Sequence, residues 1–283
     1  MYSSLSGKVA IITGAGRRGG LGAAIASRLA ADGARLVIHD LGKIKGAMAP
    51  AHGVGAQDEL QQVCAEVRAL GVEVTSFCGD MLVESEVEAL VAHAVKTFGR
   101  VDILVNNAGV GYLFGPFLEL TQERWDTVLG VNLRGCFFAM KHAARQMVQQ
   151  DVQGDWGAGR IVSIASKAAK TGSAYTSAYV ASKHGLVGLT RAVAVELGAQ
   201  KITVNAVCPN HVTTSLGAWL NDFMAAKRGQ TLDEYLAAMR GRIPLGRVGL
   251  PADTSNAVAF LCSSEASYIT GEAMNVSGGE EYH

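Results

Sequence analysis

Apolar residues arrive along this chain in two rhythms, and the two alternate. Short β-branched runs read as strands: Lys8–Ile12, Arg35–His39, Glu73–Phe77, Ile103–Asn106, Arg160–Ile164, Ile202–Val207 and Ala273–Val276. Stretches with helical spacing lie between them. The clearest is Val87, Leu90, Val91, Ala94, Val95 and Phe98, which steps by three and four until Gly99 stops it. Another runs from Asp58, placed as an N-cap, to Leu70, and ends at Gly71. Strands alternating with helices predict βαβ units, hence an α/β fold with a parallel sheet covered on both faces. Such sheets bind ligands at the carboxyl ends of their strands, near the point where strand order reverses. The chemistry is therefore sought just after each strand.

After the first strand the chain reads Thr13-Gly14-Ala15-Gly16-Arg17-Arg18-Gly19-Gly20-Leu21-Gly22, and a helix of small residues follows. Glycines let a backbone pass close to a pyrophosphate, and a helix N-terminus offers unpaired N–H groups. About twenty residues on, Asp40 ends the second strand, where a carboxylate can accept from both hydroxyls of an adenosine ribose. After the fifth strand stand Ser166 and then Tyr179-Val180-Ala181-Ser182-Lys183. Residues four apart share one helix face. A lysine ammonium beside a phenol favours the phenolate and makes a tyrosine usable as a general acid/base.

Composition narrows the class. Glycine is in excess, 34 of 283 residues, about 12% against roughly 7% in an average protein. That is the mark of many tight turns or of close backbone approach to a ligand. Apolar residues make up 49%, which excludes a disordered chain. Twenty-five basic residues balance twenty-five acidic ones, which argues against binding nucleic acid or anionic membrane by bulk charge. The cysteines, Cys64, Cys78, Cys136, Cys208 and Cys262, are dispersed and form no CxxC pair. They are expected as buried, reduced thiols. The histidines show no metal-ligand spacing, so no metal is expected. No apolar run approaches a membrane span, and no signal sequence precedes the first strand, so a cytoplasmic protein is expected.

Taken together, these features resemble the short-chain dehydrogenase/reductase (SDR) family from Gly7 to about Gly279. Several motifs stand in the family's order. The glycine loop comes first, and Asp80 follows at the end of the third strand. Asn106-Asn107-Ala108-Gly109 matches the family's NNAG, and Asn132 in Val131-Asn132-Leu133 its helical asparagine. Ser166 lies thirteen residues before Tyr179. Pro209 to Thr214 and Ile243-Pro244-Leu245-Gly246-Arg247 resemble further family stretches. The resemblance implies a single-domain Rossmann fold over residues 1–283, a doubly wound seven-stranded parallel sheet with a substrate loop at about 213–245. It implies Asn132, Ser166, Tyr179 and Lys183 as the catalytic set. Tyr179 would exchange the hydroxyl proton, Ser166 would hold the substrate oxygen, and Lys183 would tune the tyrosine and bind the nicotinamide ribose. Asn132 would hold a water in a proton relay. The implied cofactor contacts are Gly14, Gly16, Arg18, Gly20, Leu21, Gly22, Asp40, Asp80, Met81, Asn107, Ala108, Gly109, Tyr179, Lys183, Pro209, Val212 and Thr214. The implied activity is an interconversion of a secondary alcohol and a ketone, by a homotetramer formed through helices at about Thr121–Gln150 and Tyr179–Leu197 and the last strand.

The chain also departs from the family. Gly20-Leu21-Gly22 sits two residues later than the family's spacing, so the phosphate loop is enlarged. Asn210 replaces a glycine after Pro209, at a turn where asparagine tolerates the left-handed conformation. An insertion at about 41–57 lies beside the expected adenine ribose, and reads equally as neutral or functional. A smaller one, Asp151–Gly159, reads as surface. Asp40 favours NAD and would repel a 2′-phosphate. Arg17 and Arg18 argue for NADP, unless they are surface charges or reach the pyrophosphate. NAD is the expected cofactor, with NADP the alternative.

Tyr175, His211 and Trp219 are the candidates for touching substrate, each with a packing role as the alternative. Trp156 is read as packing or lid. Trp219, Phe223, Met224, Leu232, Tyr235 and Met239 give Ser215–Arg242 the composition of an apolar lid. That points to a neutral, moderately apolar alcohol or ketone, cyclic or hydroxyacyl. Two other readings compete, apart from an NADPH-dependent 3-oxoacyl-type reductase. An enoyl reductase would carry its tyrosine seven residues before the lysine, where Thr176 stands. A non-catalytic dinucleotide-binding regulator would commonly lack the tyrosine or the lysine, and this chain keeps both.

Overall fold

The computed structural model describes residues 1–42, 56–212 and 214–283, with 215–220 described by backbone alone. The chain alternates as the two rhythms require. Strand β1 (Val9–Ile12) leads to helix α1 (Leu21–Ala31), β2 (Arg35–Asp40) to α2 (Gln57–Arg68), and β3 (Val74–Cys78) to α3 (Glu84–Phe98). Strand β4 (Ile103–Asn106) precedes α4 (Gln122–Leu129) and α5 (Cys136–Met147); β5 (Gly159–Ile164) precedes α6 (Ser177–Leu197). Strand β6 (Ile202–Pro209) is followed by α7 (Ser215–Lys227), α8 (Leu232–Arg242), α9 (Pro251–Cys262) and β7 (Ala273–Val276). The strands form one sheet in the order β3-β2-β1-β4-β5-β6-β7, and every pairing is parallel. Strand order reverses between β1 and β4, so the crevice for a ligand opens beyond their carboxyl ends.

Alternation along the strands divides the core in two. Ala10, Ile12, Leu36, Ile38, Ile103 and Val105 face one side and pack with Ile25 and Leu29 of α1 and Val258 and Leu261 of α9. Ile11, Val37 and Leu104 face the other and pack with Leu90 of α3, Met140 of α5 and Leu186 of α6. Both faces are buried because parallel crossovers place helices on each.

Three expected elements differ. Helix α2 begins at Gln57 with Ala56 as its N-cap, so Asp58 lies inside the first turn. Ala56 is bridged to Gly42, which fixes the entry of the chain two residues before Asp58. The expected helix over 121–150 is interrupted by a π-helical stretch at Gly130–Gly135. Its two glycines press against the loop after β3: a Cβ on Gly130 would lie 2.6 Å from Leu82, and one on Gly135 2.9 Å from the Met81 carbonyl. Asn210 keeps an ordinary backbone, because Tyr175 and Lys201 are the non-glycine residues with positive φ among the described ones.

The insertion at 151–159 is not plain surface. Trp156 is buried, donates Nε1–H to the Cys262 carbonyl at 3.1 Å, and receives the Arg160 guanidinium 4.5 Å from its ring centre. Arg160 is itself buried, and burial pushes its pKa down to about 10. Four cysteines are buried as expected, but Cys78 is exposed, and none forms a disulfide. Among the described residues no helix is long and apolar enough to cross a membrane, and no cluster of His, Cys, Asp and Glu could hold a metal. Trp156→Ala removes a buried aromatic ring and uncovers Arg160, so urea unfolding should show a loss of about 3–5 kcal/mol. A loss below about 1 kcal/mol would mean that the ring is not part of the core.

Candidate functional site

The carboxyl ends of β1, β2, β4, β5 and β6 surround a cavity of about 880 Å³. Its first wall is the glycine loop. Gly14 has φ +63°, and a Cβ there would sit 2.6 Å from the Ala108 backbone. Gly22 is held as closely: a Cβ would meet the Gly14 carbonyl and the Asn107 amide, each at 2.6 Å. Only glycine permits this approach of loop, helix and β4 end. Thr13 ties the same pieces together. Its Oγ1 accepts from the Asn107 and Ala108 N–H groups at 3.0 and 3.1 Å, while Asn107 Nδ2 donates to the Thr13 and Gly14 carbonyls. Helix α1 has no side-chain cap at Gly20, and Gly20, Leu21 and Gly22 line the cavity. The uncapped N-terminus of α1 therefore opens onto the space as an anion site.

Asp40 stands at the end of β2, almost wholly buried. Its two carboxylate oxygens accept from the Gly16 and Leu41 N–H groups, each at 2.8 Å. Burial pushes its pKa up, against the pull of those N–H groups and of Arg17. Asp80, Met81, Asn107, Ala108, Gly109, Pro209, Val212 and Thr214 line the cavity too. Gly16 and Arg18 do not. Gly16 lies behind Asp40, so close that a Cβ would meet the aspartate at 2.8 Å. The Arg18 N–H donates to Glu59, and its guanidinium pairs with Glu66 of α2 at 2.7 Å. It is Arg17 that lines the cavity.

Ser166, Tyr179 and Lys183 share the inner wall. Ser166 follows β5, and its Oγ accepts from the Ala168 N–H at 3.1 Å, which leaves the hydroxyl hydrogen for another acceptor. Tyr179 and Lys183 lie one turn apart on α6. The Lys183 Nζ is 5.7 Å from the centre of the Tyr179 ring and donates to the Ile164 carbonyl at 2.7 Å. Phe114 meets the tyrosine edge-on, with ring centres 5.8 Å apart. Asn132 lies behind this wall, fully buried in the π-helical stretch. Its Oδ1 accepts from the Val110 N–H at 2.7 Å, and its Nδ2 donates to the Val110 carbonyl and the Ser182 hydroxyl. The arrangement places a phenol, a hydroxyl and an ammonium at one end of a cavity whose other end suits a pyrophosphate.

The three candidate substrate residues fare differently. His211 lines the cavity and is bonded to Asn221 at 3.2 Å; burial pushes its pKa down. Tyr175 does not line it. Helix α6 starts at Ser177, and Tyr175 lies before it with φ +69°, its carbonyl accepting from the Gly115 N–H. The Trp219 side chain and most of the 41–57 insertion lie outside the described residues. The lid is not apolar throughout, as its composition had implied. Met224, Tyr235 and Met239 give the lid an apolar inner cluster, but Arg228, just beyond the end of α7, and Arg242, the last residue of α8, line the cavity too. Lys167 and Glu280 join them. Sequence reasoning missed these charges because they are scattered between positions 167 and 280.

It also missed His39. This histidine is buried one residue before Asp40, accepts from the Gly14 N–H at Nδ1 and lies 2.9 Å from the Gly79 carbonyl at Nε2. A neutral ring with its proton on Nε2 satisfies both contacts. The only available signal was its place at the end of the second strand.

The chain is similar to known proteins over nearly its whole length. The family described as Enoyl-(Acyl carrier protein) reductase matches residues 14–281. A short-chain dehydrogenase/reductase of Armillaria gallica is 37% identical over 273 residues, covering 96% of this chain and 95% of that protein. Carveol dehydrogenase from Mycobacterium avium in complex with NAD is 30% identical, with a TM-score of 0.89 and 98% of each chain covered. A variant of actinorhodin polyketide ketoreductase with NADPH is 35% identical, with a TM-score of 0.85 and 100% of each chain covered.

Burial holds the His39 pKa down at about 4, against 6.5 in the unfolded chain. Between those values the unfolded state binds the extra proton. Stability is therefore full above pH 6.5 and falls by up to about 3 kcal/mol as pH drops toward 4. Urea unfolding at pH 7.5 and pH 4.5 should show a smaller acid loss in His39→Gln than in the parent; equal losses would remove His39 as the source.

Proposed function

The chain belongs to the short-chain dehydrogenase/reductase family, and within it we propose an NAD(H)-dependent oxidoreductase that interconverts a secondary alcohol and a ketone. The observation that carries this reading is the Lys183 ammonium beneath the Tyr179 ring, in one cavity with Ser166 and the glycine loop. A nicotinamide dinucleotide fits the residues present: the uncapped start of α1 for the pyrophosphate, and the Asp40 carboxylate for the adenosine ribose. When bound it supplies or accepts the hydride. Asp80 and Met81 are assigned to the adenine side; Asn107, Ala108, Gly109, Pro209, Val212 and Thr214 to the rest of the dinucleotide.

The chain's own part is proton transfer and charge stabilisation. In carbonyl reduction negative charge grows on the substrate oxygen. The Ser166 and Tyr179 hydroxyls are assigned as its two donors, and Tyr179 gives up its proton. The Lys183 ammonium stabilises the phenolate left behind. Asn132 holds the Val110 segment beside this wall and is assigned to the relay that returns a proton to Lys183. Enoyl reduction is disfavoured, because the position seven residues before Lys183 is Thr176, whose hydroxyl is engaged by the Ser173 carbonyl. One observation favours a second reading, an NADPH-dependent 3-oxoacyl-type reductase: Arg17 lines the cavity beside Asp40. A cytoplasmic homotetramer belongs to the main proposal, with Phe137 of α5 and Val195 of α6 exposed on the helices assigned to contacts.

Tyr179→Phe should reduce turnover by at least about a hundredfold and leave NADH affinity, read by nicotinamide fluorescence, unchanged. Turnover near the parent rate would end the assignment. The Asp40 pKa lies above the ordinary carboxylate value, and only the ionised form accepts from both ribose hydroxyls. NADH affinity should therefore be full near neutral pH and fall on acidification earlier than an ordinary carboxylate would allow. Asp40→Asn should flatten that profile; an unchanged profile would place the titrating group elsewhere.

A further inference from the structure

We propose that the lid end of the cavity recognises a carboxylate set apart from the reacting oxygen, so that the substrate is an amphipathic oxo or hydroxy acid. The reacting group rests on the oxidoreductase reading; the anion site does not. The argument begins with Arg228. Its guanidinium lies 5.4 Å from the centre of the Tyr235 ring and lines the cavity. No carboxylate pairs with it among the described residues. Tyr235 is buried between Met224 and Met239, so the ring on which the guanidinium rests is held by the lid's own core. A cation–π contact of this kind leaves the guanidinium N–H groups for a carboxylate.

The surrounding charge has the same sign. Lys167 and Arg242 line the same cavity, and Glu280 is the carboxylate set against them. Glu280 is engaged already: it accepts from Lys167 at 2.6 Å, from Arg242 at 3.3 Å and from Asn210. Three cations to one carboxylate leave two positive charges in excess. An anion entering here gains charge-assisted hydrogen bonds that a neutral ligand does not. The standing carboxylate of Glu280 suits a monoanion better than a dianion. The same cavity is lined by Phe114, which meets the Tyr179 ring, and by Met224 and Met239, which pack with Tyr235, so an apolar chain linking the two polar groups has apolar side chains to meet.

The test needs no turnover. Hexanoate, octanoate and decanoate are titrated against the full chain, with and without NAD, beside the corresponding neutral amides. At one chain length the acid should bind at least about tenfold more tightly than its amide. Arg228→Met should bring that ratio close to one, and Arg228→Lys should retain part of it. Amides that bind as tightly as acids at every length would overturn the proposal, as would an acid preference that survives Arg228→Met. NADH affinity of the same variants should match the parent. A loss of NADH affinity in Arg228→Met with the acid preference intact would assign the arginine to the dinucleotide instead. Failure of the oxidoreductase reading shows separately, in the turnover of Tyr179→Phe.

Discussion

Lys183 is buried to 4% exposure, with little of it left to bulk water. An isolated buried charge is costly, so the chain has to supply polar partners from fixed directions. The Ile164 carbonyl, at the end of β5, is one. The Asn132 carboxamide anchors the Val110 segment beside it. It can do so only because the π-helical stretch between α4 and α5 turns that side chain inward. The glycines that flank the stretch allow it to press on the loop after β3. A lysine that looks like a local helical feature thus depends on two strand ends and an irregular helix.

The cofactor side has its own constraint, which is backbone proximity. Thr13, Asn107 and His39 bond the loops after β1, β2, β3 and β4 to one another through main-chain groups. Those bonds hold the open N-terminus of α1 at a fixed height above the sheet. Asp40 is drawn into the same lacing through Gly16 and Leu41, which explains how a carboxylate sits nearly buried there. The enlarged glycine loop is accommodated by turning Arg18 outward onto α2, while Arg17 stays inside.

The lid end is assembled differently. Lys167 comes from the turn after β5, Asn210 from the turn after β6, Arg242 from the end of α8 and Glu280 from the C-terminal tail. One carboxylate joins three remote segments, and the charge of that end is set by which side chains it leaves unmatched.

Much of the site was legible because its residues are bound to the ends of strands. Parallel β-strands with both faces buried must be apolar, and the chemistry then falls on polar residues at or just beyond their ends; Asp40 closes β2, and Asn107 and Ser166 follow β4 and β5. The Tyr179–Lys183 spacing was legible because a helix repeats every 3.6 residues. Sequence by itself therefore determined the alternation, the parallel sheet, and the residues on the cavity's inner wall. Tertiary structure alone decided which arginine faces the cavity, that Tyr175 lies before the helix, that Asn132 needs a π-turn, and that Trp156 is core. It alone decided that Lys167, Arg228, Arg242 and Glu280 meet. Local spacing carries no record of contacts across a hundred residues, because those are set by how the layers pack and not by the period of any one element.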